Sequence, residues 1–305
     1  MYTDINKGND VKIDCSVVIV NWNSIDYLRE CLRSICEFTR CSCEIIVIDN
    51  DSPDEEKILL SEIGNINLIL NDKNIGFAAA NNLGIRQAKG DYILLLNPDT
   101  KLVNDAIDRM VAYLKSHETV SAVGPKLYFS EGYDYHPSIK SLDSPFYNVS
   151  CLIPGWRYLE NAFQFLVSNI DRIWKVDCVI GAAVLFNRSV FDEVGLLDER
   201  FFIYSEEVDF FMRMKRSGHK TVYYPRAEII HYGGRSQDKS SVAKLEYLWT
   251  SKIIYFKKYY GNVNISVNIL LIYFLLKTKI ILFKKNEFAK VCDLIKLELE
   301  EMFMK

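Results

Sequence analysis

Polar side chains follow the apolar segment YILLL at residues 92–96, and their types suit the binding of a hard metal ion. Asn97 and Asp99 flank Pro98. Proline biases the preceding residue towards extended backbone, and alternate residues of an extended chain point the same way, so both side chains can face one ligand. Carboxylate and amide oxygens suit Mg²⁺ or Mn²⁺. The alternative is an ordinary Asn-Pro-Asp turn after a strand.

A second group of carboxylates opens a predicted helix at residues 206–216. Glu206, Glu207 and Asp209 directly follow Ser205. A serine N-cap with acidic residues in the first turn is a common way to stabilise a helix, and it is the structural alternative here. Three carboxylates nevertheless exceed what capping requires. One of them, facing a cleft, is therefore a candidate general base.

A histidine ends another apolar segment in the sequence IIHYGGRS. His231 is followed by Gly233, Gly234 and Arg235. A lone histidine is most often structural, but glycines expose backbone amides and arginine matches phosphate geometry. These neighbours favour a phosphate or metal environment around His231.

Three more polar residues are expected at the same sheet edge as Asn97 and Asp99. Asn21 and Asn23 end the first predicted strand, and Asp49 ends the second. An aspartate in that position can accept a hydrogen bond from a nucleobase N–H. The alternative for each is a polar residue in the turn that ends a strand.

The elements that must position these side chains alternate between short apolar segments and helix-like segments. The predicted strands lack polar alternation, which is typical of strands buried on both faces of a mostly parallel sheet. They span residues 15–20, 44–49, 66–70 and 92–96.

The intervening segments carry helical signals. Residues 26–38 place Tyr27, Leu28, Cys31, Leu32 and Ile35 on one stripe. Ser52-Pro53-Asp54-Glu55 matches a capping box with proline in the first helical position. Strands alternating with helices predict an α/β fold with crossover helices.

The bulk composition bounds the class of protein. The chain has 305 residues, 49% hydrophobic and 25% charged, with a net charge of −3, so nucleic acid is not an expected partner. Its eight cysteines are scattered and are expected to be free thiols, because Cys41 and Cys43 alone make a weak zinc signal. The sequence MYTDINKGNDVK has no apolar stretch for a signal peptide, which predicts a cytosolic location.

Two segments lack the strand and helix pattern. Residues 128–175 are rich in aromatic residues and proline, and a segment of this length without clear periodicity is usually functional or mobile. Residues 265–283 are apolar and flanked by lysines at 257–258 and 284–285. Their uninterrupted apolar centre is shorter than the roughly 20 residues of a spanning helix, which predicts an interfacial helix on a membrane. The alternative is a core or dimer-contact helix.

Taken together and in this order, four segments resemble the family 2 glycosyltransferases of the GT-A fold, particularly bacterial rhamnosyltransferase-like members. The likeness extends over about residues 14–236. It is carried by SVVIVNWNSIDYLRECLRSI, EIIVIDNDSPD, NIGFAAANNLGIRQAKGDYILLLNPDT and the segment from GAAVLFNRS to IIHYGGRS. The resemblance implies a mostly parallel, Rossmann-like sheet flanked by helices.

The resemblance also implies a domain plan. Residues 1–239 are expected to form the catalytic domain, with a nucleotide-sugar half at about 14–125 and an acceptor half at about 126–239. Residues 240–305 are expected to form a helical C-terminal extension in contact with the membrane through 257–285.

Site residues follow from the same likeness. Asp99 is similar to the metal-binding acid of the family's D-x-D element, with Asn97 in place of the first aspartate and His231 completing the site. Glu207 matches the second acid of the E-D pair, the catalytic base, where aspartate is commoner. Glu206 is expected to support it, and so is Asp209.

Other matches are expected to bind the donor nucleotide. Asp49 resembles the nucleobase contact, while Asn74, Gly76 and Asn82 belong to the nucleotide-side loop and helix. Asp51 occupies a turn position that often carries glycine, and aspartate tolerates the left-handed conformation there.

The implied reaction is an inverting transfer of a sugar, with rhamnose suggested by the family likeness, from a nucleoside diphosphate. It would use Mg²⁺ or Mn²⁺ and an acceptor hydroxyl of a glycan or lipid-linked glycan in cell-surface polysaccharide synthesis, at the inner face of the membrane. The aromatic segment at 128–160 is expected to bind the acceptor, since flat aromatic faces pack well on sugar rings. One rival is a sugar-nucleotide nucleotidyltransferase, but NWNSID lacks its glycine-rich phosphate loop. The other is a non-catalytic, membrane-docked nucleotide-sugar-binding protein.

Overall fold

The computed structural model describes residues 12–134, 136–140, 171–233 and 241–260, with single positions at 142, 159 and 162 and between 273 and 297. Strands in this part are β1 (Cys15–Asn21), β2 (Cys43–Asp49), β3 (Asn67–Leu70), β4 (Tyr92–Leu96), β5 (Thr100–Leu102), β6 (Ala122–Tyr128), β7 (Ile139–Lys140), β8 (Trp174–Val176), β9 (Cys178–Val179), β10 (Ala183–Asn187) and β11 (Thr221–His231). Helices are α1 (Ile25–Phe38), α2 (Asp54–Ser61), α3 (Phe77–Gln87), α4 (Ala106–Ser116), α5 (Ser189–Val194), α6 (Glu206–Arg216) and α7 (Ser241–Tyr260).

A central sheet in the order β3-β2-β1-β4-β10-β6-β11-β5 forms the middle layer, with β8 beside β11. Its first four strands are parallel, as predicted, because each is joined to the next by a crossover segment. Strand β10 runs antiparallel to both β4 and β6, while β6 and β11 are parallel. This architecture confirms the predicted α/β class.

Alternate residues of the sheet feed two separate cores. In β1, Val18 packs with side chains of α3, α6 and α7, whereas Val17 packs with side chains of α1 and α4. All of β1 and β2 is buried, which explains why neither strand alternates polar and apolar residues. The sheet therefore has helices on both faces.

Strand β3 departs from the prediction. It was expected to be buried on both faces, but it lies at the sheet edge, and Asn67 and Leu70 are exposed. An edge strand pairs with one neighbouring strand instead of two, and among the described strands β3 pairs with β2 alone. Its apolar sequence did not reveal that position.

The predicted capping box at Ser52 is wrong. Pro53 occupies the N-cap of α2, and no side chain caps the helix. The Ser52 hydroxyl instead donates to Asp49 Oδ1 at 2.6 Å and accepts from the backbone N–H of Asn23. The turn uses the left-handed region at Asp51 (φ 70°), as its residue type allows.

Strand β5 and the end of β11 form a short antiparallel pair, which brings together two segments that are distant along the chain. After β4 the chain turns into β5, which pairs with the end of β11 in the register His231↔Thr100. The Thr100 hydroxyl donates to the carbonyl of Asn97, and the Tyr232 N–H donates to the carbonyl of Asp99. This pairing sets the segment 97–99 against His231.

Several predictions concern residues outside the described part. They include Tyr135, Pro145, Tyr147, Pro154 and Trp156 of the aromatic segment, Gly234 and Arg235, and most of residues 265–283. Within the described part, no helix has the length and apolar character that crossing a bilayer requires. The seven cysteines described are free, and the Sγ atoms of Cys41 and Cys43 lie 3.4 Å apart.

Candidate active site

A cavity of about 470 Å³ opens at the carboxyl edge of β1, β2 and β4. This is the edge where open α/β sheets bind ligands, because strand ends and the loops after them converge there. Its lining comes from several elements: Val20, Trp22, Asn50, Asn74, Phe77, Asn97, Pro98, Ile180, Gly181, Ala182, Phe202, Ile203, Tyr204, Glu206, Glu207, His231, Ala243, Lys244 and Tyr247.

Of the residues predicted to form the metal site, Asn97 and His231 line one side of this cavity, whereas Asp99 is buried beside His231 and does not itself line it. His231 Nε2 lies 3.4 Å from Asp99 Oδ1 and 3.3 Å from Asn97 Nδ2. Asp99 is 2% exposed, and the Oδ1 atom of Asn97 is buried without a hydrogen-bond partner. A buried amide oxygen without a partner is costly unless a donor or cation reaches it.

The donor set fits a hard divalent ion. One carboxylate, one imidazole and one amide oxygen supply part of a coordination shell for Mg²⁺ or Mn²⁺, and phosphate oxygens and water commonly supply the rest. Among the described residues no group of three or more His, Cys, Asp or Glu side chains is arranged to hold a metal. Asp99 and His231 would therefore need the ligand's own oxygens to complete the site.

A second histidine, which the sequence did not single out, contacts the first. His136 Nε2 lies 2.9 Å from His231 Nδ1, and His136 Nδ1 lies 2.6 Å from the carbonyl oxygen of Pro137. Burial, and next the neighbouring His231, lower the pKa of His136 to about 4. The His136 ring is therefore neutral at physiological pH.

The two glutamates at the start of α6 have different surroundings. Lys140 Nζ donates to Glu207 Oε1 at 2.9 Å, whereas Glu207 Oε2 is buried without a partner. Glu206 is buried, and this burial, with the charge of Glu207, raises the pKa of Glu206 to about 8. At neutral pH Glu206 is therefore mostly protonated, while Lys140 stabilises the ionised form of Glu207.

The backbone before α6 brings these glutamates into the cavity. Tyr204 and Ser205 both have positive φ, at 68° and 63°, and the Ser205 side chain makes no capping hydrogen bond. Ser205 therefore occupies the N-cap position of α6 without the capping hydrogen bond that the sequence suggested. Gly181 faces Glu207, and a Cβ on Gly181 would lie 3.3 Å from its side chain, so glycine leaves room for the carboxylate.

Asp209 and Asn82 are among the predicted site residues that do not line the cavity. The Asp209 carboxylate is fully buried and is bound by Lys258 Nζ at 2.6 Å, Arg213 Nε at 2.8 Å and the Tyr259 hydroxyl at 2.7 Å. Asn82 exchanges hydrogen bonds with the backbone of Leu197. The structure thus places both in contacts between elements.

Asp49 and Asn21 are also buried, beneath the cavity lining. Asp49 Oδ1 accepts from Asn21 Nδ2 and from the Ser52 hydroxyl, and its Oδ2 accepts from the Ser52 N–H. Both residues are fully buried, so neither is positioned to meet a nucleobase in this conformation. Asn23 is exposed, in a left-handed turn.

Asn50, which was not predicted, lines the cavity instead. Its Nδ2 donates to Asn74 Oδ1 at 2.8 Å, and its Oδ1 accepts from Asn71 Nδ2 and the Ile75 N–H. Asn74 Oδ1 also accepts from the N–H of Gly76. The loop before α3 is thereby tied to the end of β2, with Asn74 on the cavity wall.

One wall of the cavity comes from α7, which was assigned to the C-terminal extension. Lys244 and Tyr247 line it. The Tyr247 ring stacks on Phe202, with centroids 5.1 Å apart and planes at 16°. No local pattern predicted this wall, because residues distant along the chain meet there only through packing.

The fold is that of a GT-A glycosyltransferase. A solved structure of GalNAc-T7 with UDP, GalNAc and Mn²⁺ superposes with a TM-score of 0.57 at 19% identity, covering 80% of this chain and 48% of that chain. Residues 16–195 match the family described as "Glycosyl transferase family 2", so the chain belongs to that family and is a glycosyltransferase. The resemblance stated from the sequence is confirmed.

Curated relatives include two rhamnosyltransferases. One is the N-acetylglucosaminyl-diphospho-decaprenol L-rhamnosyltransferase of Mycobacterium tuberculosis, 25% identical over 75% of this chain and 79% of that protein. The other is the dTDP-rhamnosyl transferase RfbF of Shigella flexneri, 26% identical over 73% of this chain and 69% of that protein. The chain is similar to both.

Proposed function

We propose that the protein transfers a sugar, with rhamnose as the leading candidate, from a nucleoside diphosphate to an acceptor hydroxyl with inversion of configuration. The acceptor is proposed to be a glycan or lipid-linked glycan in cell-surface polysaccharide synthesis. One observation carries the proposal: Asn97, His231 and Glu207 line the same cavity. The names of the two rhamnosyltransferase relatives support the choice of sugar.

The donor diphosphate is proposed to bind where Asn97, Asp99 and His231 converge. These residues would hold Mg²⁺ or Mn²⁺, which neutralises negative charge on a departing diphosphate. The Mn²⁺ in the GalNAc-T7 structure supports this choice of ions. Asn50 and Asn74 would face the nucleoside part of the donor from the adjacent wall.

Glu207 is proposed as the general base. Its ionised carboxylate takes the proton from the acceptor hydroxyl as that oxygen forms a bond to the anomeric carbon and the bond to the diphosphate breaks. Lys140 donates to Glu207 Oε1, and the neutral Glu206 adds no second negative charge beside it. A single displacement of this kind gives the inverted anomer.

A Glu207→Gln variant tests the base assignment. It retains the size and polarity of the side chain but cannot accept the proton, so we expect kcat to fall by about 10²–10⁴-fold while nucleoside diphosphate affinity is unchanged. The assay is transfer from a panel of nucleotide sugars to a library of glycosides, with the anomeric configuration of the product read by NMR. Wild-type turnover in Glu207→Gln, or a product with retained configuration, would overturn the assignment.

Membrane contact through residues 257–285 is also proposed, with the protein at the inner face of the cell membrane. Of the two lysines at 257–258, only one supports this membrane contact. The Lys258 ammonium lies between Asp198 and Asp209, at 2.7 Å and 2.6 Å, so it serves the packing of α7. Lys257, in contrast, is exposed on the surface of α7. Co-sedimentation with vesicles of anionic lipid tests this contact, and failure to sediment at low salt contradicts it.

A further inference from the structure

A chain of hydrogen bonds runs from a backbone carbonyl to the metal-binding side of the cavity. It starts at the Pro137 carbonyl oxygen, 2.6 Å from His136 Nδ1. It continues from His136 Nε2 to His231 Nδ1 over 2.9 Å. The remaining ring nitrogen, His231 Nε2, faces Asp99 and Asn97.

The Pro137 carbonyl determines which atom donates in each of these hydrogen bonds. The His136 ring is buried, which disfavours a charged imidazole, and a carbonyl oxygen only accepts, so the single ring proton of His136 lies on Nδ1. His136 Nε2 is then an acceptor, and His231 Nδ1 must be the donor in the contact between them. A neutral His231 in this tautomer has its lone pair on Nε2, where it also accepts from Asn97 Nδ2.

From this geometry we infer that His136 is a positioning residue: it fixes His231 in the Nδ1–H tautomer and so presents the Nε2 lone pair beside Asp99. The inference deepens the proposed function, because a lone pair facing a carboxylate suits a divalent cation between them. Histidines that bind metals typically donate their other ring N–H to a neighbouring acceptor, which fixes the tautomer and the ring orientation.

The surroundings of His136 hold its ring in place. The Phe129 ring packs against it, with centroids 4.1 Å apart. Ser138, two residues on, accepts at its hydroxyl from the N–H of Leu127 and at its carbonyl from the N–H of Ile180. These contacts tie the segment carrying His136 to β6, so its acceptor nitrogen has a defined position.

Nitrogen-15 NMR of histidine-labelled wild-type protein tests the tautomer without any variant. The chain has only four histidines, so their ring resonances can be assigned one by one. We expect His231 to carry its proton on Nδ1 in metal-free protein at neutral pH. A proton on Nε2 of His231 would overturn the inference.

Mn²⁺ affinity, measured with the metal alone by electron paramagnetic resonance, tests the consequence. His136→Phe keeps the packing against Phe129 but removes the acceptor, and we expect Mn²⁺ affinity to fall about 10- to 100-fold. His136→Gln offers an amide oxygen to His231 and should restore most of the affinity. His117→Gln, at an exposed position, is the control and should match wild type.

The outcomes separate this inference from the proposed function. Unchanged Mn²⁺ affinity in a folded His136→Phe protein contradicts a positioning role for His136. Wild-type protein that has the Nδ1–H tautomer but binds no Mn²⁺ supports the assignment of His136 and contradicts the proposed metal dependence. Thermal unfolding without metal establishes that each variant is folded.

Discussion

Glu206 and Glu207 follow each other at the start of α6, and their carboxyl groups meet different partners. Glu207 Oε1 accepts from Lys140, and the Oε2 atom of each glutamate is buried without a partner. Burial disfavours charge on Glu206. Two adjacent acids can thus differ in protonation at one pH, which leaves one of them able to act as a base.

Stability should depend on pH through Glu206. Burial and the charge of Glu207 raise the pKa of Glu206 from 4.5 to about 8. The folded state therefore binds this proton more tightly than the unfolded state does. The resulting stabilisation is fully present below about pH 4.5 and is lost, by at most about 1.4 kcal/mol per pH unit, as pH rises towards 8.

A Glu206→Gln variant removes that titration. We expect it to have a higher Tm than wild type at pH 8, with the difference shrinking at pH 5. Thermal unfolding at the two pH values measures this, and Glu118→Gln, at an exposed position, serves as the control. An equal difference at both pH values would contradict a neutral, buried Glu206.

At the scale of the elements, a glycine sets how closely the loop before α3 approaches the segment before α6. Gly76 has φ 88°, and a Cβ there would lie 2.8 Å from the Phe202 carbonyl oxygen and ring. The adjacent Phe77 N–H donates to that same oxygen. This contact connects the two loops that carry Asn74 and Phe202 on the cavity wall.

Gly76→Ala should therefore be strongly destabilising. Left-handed backbone and a steric clash each cost of the order of 1–3 kcal/mol, so we expect the free energy of unfolding to fall by about 2–4 kcal/mol. The control is Gly64→Ala, because no atom lies within 4 Å of a Cβ at Gly64. Denaturant unfolding of both variants measures the difference, and similar losses in the two would count against this role of Gly76.

Helix α7 depends on a buried ion pair for its position. Lys258 lies between Asp209 and Asp198, and Asp209 is fully buried. Lys258→Met keeps the aliphatic stem but leaves Asp209 with less compensation for its charge. We expect a loss of about 2 kcal/mol in the free energy of unfolding, moderated because Arg213 still binds Asp209.

The neighbouring Lys257 provides the matched control for that variant. Lys257→Met changes the same side chain at an exposed position of the same helix, and it should leave stability within about 0.5 kcal/mol of wild type. Denaturant unfolding compares the two. Equal effects of both substitutions would contradict the anchoring role of Lys258.

At the scale of the whole molecule, sequence patterns predicted the features that depend on neighbouring residues along the chain, such as which segments form strands. Largely apolar segments became β1, β2 and β4, and Asn97, directly after β4, lines the cavity. Strand β3 has the same pattern, but its burial depends on how many strands neighbour it, which no local pattern encodes.

Site residues were predicted less well where packing decides which side chain faces the cavity. Asp49 still pairs within the sheet and is buried, so the next residue, Asn50, is the one that lines the cavity. His136 contacts His231, and Tyr247 contacts Phe202, across long separations in sequence. Pattern along the chain cannot predict such contacts, because they exist only once the sheet and helices have assembled.

The central claim is that a nucleoside diphosphate binds this cavity through a divalent ion held by Asp99 and His231. Calorimetric titration of thymidine, uridine and guanosine diphosphates, each with and without Mn²⁺, into wild type and Asp99→Asn tests it most directly. We expect one diphosphate to bind wild type only when Mn²⁺ is present, and Asp99→Asn to lose at least about tenfold in affinity. Binding that is unaffected by Mn²⁺ and by Asp99→Asn, or no binding to folded wild type at all, would contradict the claim.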